Sequence, residues 1–161
     1  ISPFRYFTFM DNTNLKARIL EIVPDAQQEE NKQYLTLLVP AAKLHELAVK
    51  LKTTSDLSFD FLFCLSGVDY GKQLAVVYHL NSTQHKHYIV LKVKTDDRVN
   101  PNFDTVCDIW RTAEFHERET YDMFGIRFNN HPDLRRIFLE EDWKGYPLRK
   151  DYVDEVNIVE F

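Results

Sequence analysis

Glu117, Glu119 and Asp122 form a group of carboxylates that could exchange protons with a substrate. Paired carboxylates divide acid and base work in many hydrolases. Helical spacing works against that use here. Glu117 and Glu119, two apart, point away from each other, whereas Glu114–Arg118 and Arg118–Asp122, each four apart, can pair. The segment therefore reads as a helix with one face of internal ion pairs, with an acid–base couple of Glu117 and Asp122 as the rival reading. His79, His85 and His87 raise metal binding, because His-x-His in a strand sends both rings to one face. Pairing about an Asn81–Gln84 turn sets His79 opposite Lys86 and so on the other face. No carboxylate or cysteine lies close in sequence to complete a zinc site, and solvated hairpin histidines are expected.

Nucleophile chemistry finds less support. Cys64, Ser66, Gly67 and Asp69 resemble an active-site turn, yet no Gly-x-Ser-x-Gly elbow or companion histidine accompanies them. A core cysteine followed by a turn is the expectation. With glycines only at 67, 71, 125 and 145, neither a dinucleotide-binding nor a phosphate-loop signature can be written. Cys64 and Cys107 cannot supply four thiolates to an iron–sulfur cluster, and they read as reduced core residues. The last third has another character. Arg135, Arg136, Arg149 and Lys150 offer fixed donors, and Trp143, Tyr146 and Tyr152 offer the broad rings common at binding hot spots. Asp133, Glu140, Glu141, Asp142 and Asp151 flank those cations, which argues against a phosphate patch. Two readings stay open: a tail packed on its own domain, or one laid on a partner protein.

The elements that must position these groups follow from periodicity. Residues 13–22 carry Leu15, Ile19 and Ile22 on one helical face before Pro24. Tyr34–Val39 reads as a strand, and Pro40 opens a helix with Leu44, Leu47, Ala48 and Leu51 as its buried stripe. Phe59–Leu65 reads as a strand, with Gly67 and Asp69–Gly71 in the turn after it. Leu74–Leu80 and His85–Val93 form the best hairpin. Phe103, Val106, Cys107 and Trp110 recur at helical spacing after a loop over 96–102. A second helix runs from Glu114 to Phe124, with Thr112 as cap and Gly125 as a left-handed stop. A short helix near Asp133–Phe138 precedes the tail. The expected fold is α/β of the α+β type: one compact domain with a mixed, largely antiparallel sheet, flanking helices and an extended C-terminal tail. Residues 1–138 form the domain and 139–161 the interface tail.

Composition sets outer bounds. The 161 residues suffice for one core, and 12 Phe with 8 Tyr argue against disorder. A formal charge of -5 gives no reason to expect nucleic acid as a partner. No stretch is long and apolar enough to cross a bilayer, so membrane association is expected to be indirect. Ile1–Met10 is aromatic, carries Arg5 and does not resemble a signal peptide.

Three ordered motifs carry a resemblance. Glu117-Arg-Glu-Thr-Tyr-Asp-Met-Phe-Gly-Ile126, His131-Pro-Asp-Leu-Arg-Arg-Ile137 and Pro147-Leu-Arg-Lys-Asp-Tyr152 are similar to the signature of the 30 kDa subunit family of respiratory complex I, whose bacterial form is the C subunit of NADH–quinone oxidoreductase. Gly67-Val-Asp69 and Val76-Val-Tyr-His-Leu80 also fit that family's middle region. The resemblance implies a cofactor-free assembly subunit of the hydrophilic arm, packed against a 49 kDa-type quinone-site subunit and near the iron–sulfur subunits. FMN, iron–sulfur clusters, NADH and quinone would belong to those partners. The location implied is the cytoplasmic face of the bacterial inner membrane, or the matrix side in mitochondria.

Carried over by position, Glu117, Arg118, Glu119, Tyr121, Asp122 and Gly125, with His131, Pro132 and Asp133, would be structural signature residues. Arg135, Arg136, Trp143, Tyr146, Pro147, Leu148, Arg149, Lys150, Asp151 and Tyr152 would form the interface. None would be catalytic, cofactor-binding or metal-ligating. Phe138-Leu-Glu-Glu-Asp-Trp143 departs from the family's more familiar smaller aliphatic and Met or Pro, which bears on local packing. The chain is expected to lack the 49 kDa-like domain fused in some relatives. The equivalent subunit of a membrane-bound hydrogenase or other-donor oxidoreductase shares this domain and stays open, as does a small stand-alone acid–base enzyme.

Overall fold

Asp11 caps the first helix of the computed structural model, which describes residues 10–154. Its carboxylate accepts the Asn14 N–H at 2.8 Å, satisfying a donor that the helix start leaves free. Helix α1 (Asn12–Ile22) buries Leu15 and Ile19 one turn apart. Strands β1 (Gln27–Glu29) and β2 (Leu35–Leu38) pair antiparallel, and a 3-10 turn over Ala41–Lys43 follows Pro40. Helix α2 (Leu44–Thr53) buries Leu44, Leu47, Ala48 and Leu51, the stripe that its spacing foretells. Strands β3 (Phe61–Asp69), β4 (Leu74–Ser82) and β5 (His87–Thr95) form an antiparallel meander.

The sheet order is β1-β2-β5-β4-β3, with β2 parallel to β5 and every other pair antiparallel. Alternation puts Leu35, Leu37, Ile89, Leu91, Val93, Val76, Tyr78 and Leu80 in one core with the buried stripes of α1 and α2. Two short strands, β6 (Asn102–Asp104) and β7 (Arg127–Asn129), pair parallel on either side of helix α3 (Ala113–Phe124). A mixed, largely antiparallel sheet flanked by helices is the architecture read from the sequence. Beyond β7 the described residues hold no further helix or strand. Residues 1–9, read above as unlike a signal peptide, and the tail's residues 155–161 lie outside the described residues.

Several local expectations are corrected. Gly67 lies inside β3 rather than in a turn, because it pairs with Val76 of β4; a Cβ there would come within 2.5 Å of the Phe124 ring on α3. The hairpin turns at 83–86, with Lys86 at φ 60, and Ser82 pairs with His87. His79 therefore pairs with Val90 instead of facing Lys86; the even shift keeps it on the face opposite His87. The hairpin histidines are not simply solvated: the His85 and His87 rings stack at 5.5 Å, and their Nε2 atoms meet the Ser55 and Leu57 carbonyls. Phe103–Trp110 forms β6 and turns instead of a helix, and Asp133–Phe138 is irregular. Thr112 does stand at the N-cap position of α3, but its hydroxyl makes no capping bond and donates instead to the Leu62 carbonyl at 2.8 Å. Gly125 stops α3 at φ 69, in the left-handed conformation expected of it.

Candidate functional site

Asp122 lies in the last turn of α3 with no exposed surface. One oxygen accepts the N–H groups of Ile137, Phe138 and Leu139 at 3.1, 2.8 and 3.0 Å, and the other meets Arg136 Nη1 at 2.7 Å. Burial works to raise this carboxyl, but the Leu139 N–H, Arg136, and the Phe138 and Ile137 N–H groups together hold it below its ordinary value. These bonds explain why 133–138 is not a helix. The amides at 137–139 are turned toward Asp122 and cannot also bond carbonyls one turn back. Arg136 extends the knot by donating to the Trp143 and Gly145 carbonyls, both at 3.1 Å.

The expected Arg118–Asp122 and Glu114–Arg118 pairs do not form. Arg118 instead donates to the Arg135 carbonyl at 3.2 Å and the Arg136 carbonyl at 2.9 Å, because the irregular segment crosses α3 at that level. Asp122 finds its cation in Arg136, fourteen residues on. Glu119 stays exposed, and Tyr121 meets Tyr146 edge-on at 6.3 Å.

Glu117 faces the other way, fully buried. Thr105 donates its hydroxyl to one oxygen and Val106 its N–H to the other at 2.8 Å, fastening α3 to the segment after β6. Burial pushes the carboxyl up to about 7 despite those donors. Cys107 and His131 bring ligand-type atoms to within 4.8 Å of it and of each other. The hydrogen bonds do not suit this trio to a metal. His131 Nδ1 accepts the Asp133 N–H at 3.0 Å, which assigns the ring proton to Nε2, and that atom faces the Glu114 carbonyl at 3.0 Å. Neither ring nitrogen keeps a free lone pair.

The third buried carboxylate has its partners far away in sequence. Asp69, at the end of β3, takes both guanidinium arms of Arg98 at 2.8 and 2.9 Å, the Gly71 N–H at 2.7 Å and the Lys150 N–H at 2.8 Å. Arg98 above all holds this carboxyl well below the usual carboxylate range. Arg98 also meets Asp151 at 2.9 Å. Arg149 donates to the Phe124 carbonyl at 2.5 Å and the Arg98 carbonyl at 2.8 Å, while Leu148 N–H reaches Met123. The Arg136 and Arg149 guanidiniums lie 5.4 and 5.0 Å from the centre of the Tyr146 ring, and that ring covers Gly125, where a Cβ would approach it to 2.4 Å. In the sequence Asp69 belongs to a turn resembling an active site, and Arg98 sits in a polar loop with nothing to mark it as the partner.

The second and third motifs thus converge on α3, which carries the first, and Asp69, Glu117 and Asp122 each hold an irregular segment. Every oxygen of Asp69, Glu117 and Asp122 already accepts a donor from the chain itself. Such an arrangement fixes loops; it presents no carboxylate pair to a substrate. Asp133 and Arg135 form an exposed pair at 2.9 Å, Pro132 and Lys150 face outward, and Pro147 and Tyr152 are half-buried. Trp143 is also half-buried, and its indole N–H lacks a partner among the described residues. Phe138, Leu148 and Val153 expose 67%, 56% and 73% of their surface, apolar area that the fold itself does not use.

Residues 37–156 match the family model described as the 30 kDa subunit of respiratory-chain NADH dehydrogenase. The chain is 51% identical over 120 residues to the C/D subunit of NADH-quinone oxidoreductase from Phocaeicola vulgatus, covering 74% of this chain and 23% of that protein. It is 50% identical over 113 residues to the C subunit of the Chloroherpeton thalassium oxidoreductase, covering 68% of the chain and 47% of the relative. The C subunit from Roseiflexus castenholzii is 42% identical over 147 residues, with 88% and 84% covered. The chain thus spans less than half the length of the first two. Among solved structures, the trypsin-resistant fragment of Nqo5 superposes with a TM-score of 0.66 at 30% identity, covering 74% of this chain and 98% of that one. A chain of the membrane-bound sulfane sulfur reductase, an archaeal respiratory membrane complex, gives 0.74 at 26% identity, with 89% and 86% covered. By the extent of these matches, the chain belongs to the respiratory-chain NADH dehydrogenase 30 kDa subunit family.

Proposed function

We propose that this chain is a cofactor-free structural and assembly subunit of the hydrophilic arm of a proton-translocating NADH–quinone oxidoreductase. The carrying observation is that its buried carboxylates are all saturated by its own donors, while apolar and cationic groups of the tail stay exposed. Within this reading it packs against a 49 kDa-type quinone-site subunit near the iron–sulfur subunits, which with their neighbours hold FMN, NADH and quinone. It sits peripherally on the cytoplasmic face of a bacterial inner membrane. No helix among the described residues is long and apolar enough to cross a membrane, in keeping with a peripheral position.

Gentle detergent purification through this chain, with mass spectrometry and an NADH–quinone assay, tests the reading. Recovery of the 49 kDa-type and iron–sulfur subunits with activity is expected, and the isolated chain should be inactive. A solitary protein, obtained where other membrane complexes survive, would overturn it. The likeness to the sulfane sulfur reductase chain favours a second reading, the equivalent subunit of a complex with another electron donor. Its signature would be co-purification without an NADH-binding flavoprotein.

A further inference from the structure

The last described turns enclose a shallow groove lined chiefly by Lys144, Gly145, Tyr146, Arg149, Tyr152 and Val153. Its walls are held from beneath. Tyr146 carries the Arg136 and Arg149 guanidiniums within 5.4 and 5.0 Å of its ring centre, and the Gly145 carbonyl accepts from Arg136. A Cβ on Gly145 would come within 2.7 Å of the Tyr152 ring, so that ring also lies close on the backbone. A cleft fixed in this way loses little freedom when something enters it.

Its charge is unlike that of the chain. The protein carries -5 overall, yet the one acid in the lining, Asp151, is already paired with Arg98. Lys144 is exposed and has no hydrogen-bond or ion-pair partner among the described residues. Arg149 commits Nε and Nη1 to backbone carbonyls, and no described partner takes Nη2. Glu140, Glu141 and Asp142, though near in sequence, stand outside the lining. The groove therefore offers cationic donors beside two aromatic rings, with exposed Val153 in its lining and exposed Leu148 near in sequence.

We propose that this groove docks an acidic, extended segment of a neighbouring subunit. Its carboxylate would be taken by Lys144 and by Nη2 of Arg149, and an adjoining apolar side chain would lie against Tyr146. Charge complementarity chooses the carboxylate, and an aromatic wall beside it chooses a peptide over a small anion. The proposal rests on the subunit reading above.

A water-soluble carbodiimide tests it in the purified complex, since this reagent joins an amine to a carboxylate only where they touch, forming an amide with loss of water. Peptide mass spectrometry is expected to find Lys144 linked to an Asp or Glu of another subunit. The link should vanish in Lys144→Arg, which keeps the charge but cannot be coupled. Lys144→Glu should let this subunit dissociate at lower salt than the parent, as a lost surface attraction requires. In an intact complex, Lys144 left unmodified or linked only to Glu140, Glu141 or Asp142 of its own chain would overturn the docking proposal alone. A chain that enters no complex would remove the subunit reading and this proposal with it.

Discussion

Four donors converge on the two oxygens of Asp122, and three are backbone amides of one irregular segment. Removing the carboxylate leaves those amides and a largely buried Arg136 without their acceptor. Asp122→Ala is therefore expected to cost about 3 kcal/mol or more, the usual range for breaking a buried charge pair. Urea unfolding of the isolated chain measures this, and a loss below about 1 kcal/mol would contradict the anchoring role. Glu117 gives a prediction of opposite character. Its folded-state carboxyl is raised to about 7 from an ordinary 4.5, so the native state holds the proton more tightly than the unfolded chain does. That contribution is complete below about pH 4.5 and is lost as pH rises through about 7, a change on the order of 3 kcal/mol. Glu117→Gln, which stays neutral, should flatten the fall in stability between pH 5 and 8. An unchanged slope would remove Glu117 as its source. The depressed Asp69 acts at the other end: its contribution is present above the ordinary carboxylate range and is lost as pH falls below it.

At the level of elements, β3 and α3 pack without a spacer where Gly67 meets Phe124 and Thr120. Gly67→Ala is expected to destabilise by about 1–3 kcal/mol through overpacking. Pairing it with Phe124→Leu should recover part of the loss; additive losses would mean that the clash is relieved elsewhere. The same contact explains one limit of sequence reading. A glycine followed by Val68 and Asp69 looks like the start of a turn, and only the ring of a helix more than fifty residues later reveals a strand that needs no side chain there. Elements whose apolar period is local, namely α1, β2, α2, α3 and the β4–β5 hairpin, were legible. Phe103, Val106, Cys107 and Trp110 have helical spacing, yet the backbone there answers to Glu117 and to β7. Gln27–Glu29 has no apolar signal, since β1 is a polar edge strand. The signature residues were legible as a group, but their bonding was not: Arg118 was matched to the acids beside it and in fact grips carbonyls 17 and 18 residues away.

Across the whole molecule, neighbouring arginines have separate tasks. Arg136 is spent inside the fold, while Arg135 is exposed and paired only with Asp133 among the described side chains. Arg136→Glu is expected to lower the stability of the isolated chain. Arg135→Glu should leave that stability nearly unchanged and weaken assembly, measured as recovery of partner subunits after purification. Equal effects on both measurements for Arg135→Glu would assign it to internal packing. The one parallel pair in the main sheet, β2 beside β5, also governs the order of events as the chain is made. A ribosome delivers β1 and β2 early, but the strand that seats them is finished only when Thr95 has been added. Until then β2 has only β1 beside it, and the nascent chain leaves Leu35 and Leu37 without their β5 neighbours through the synthesis of β3 and β4. Slow translation across 39–95 would prolong that interval and make the newborn protein a client for chaperones.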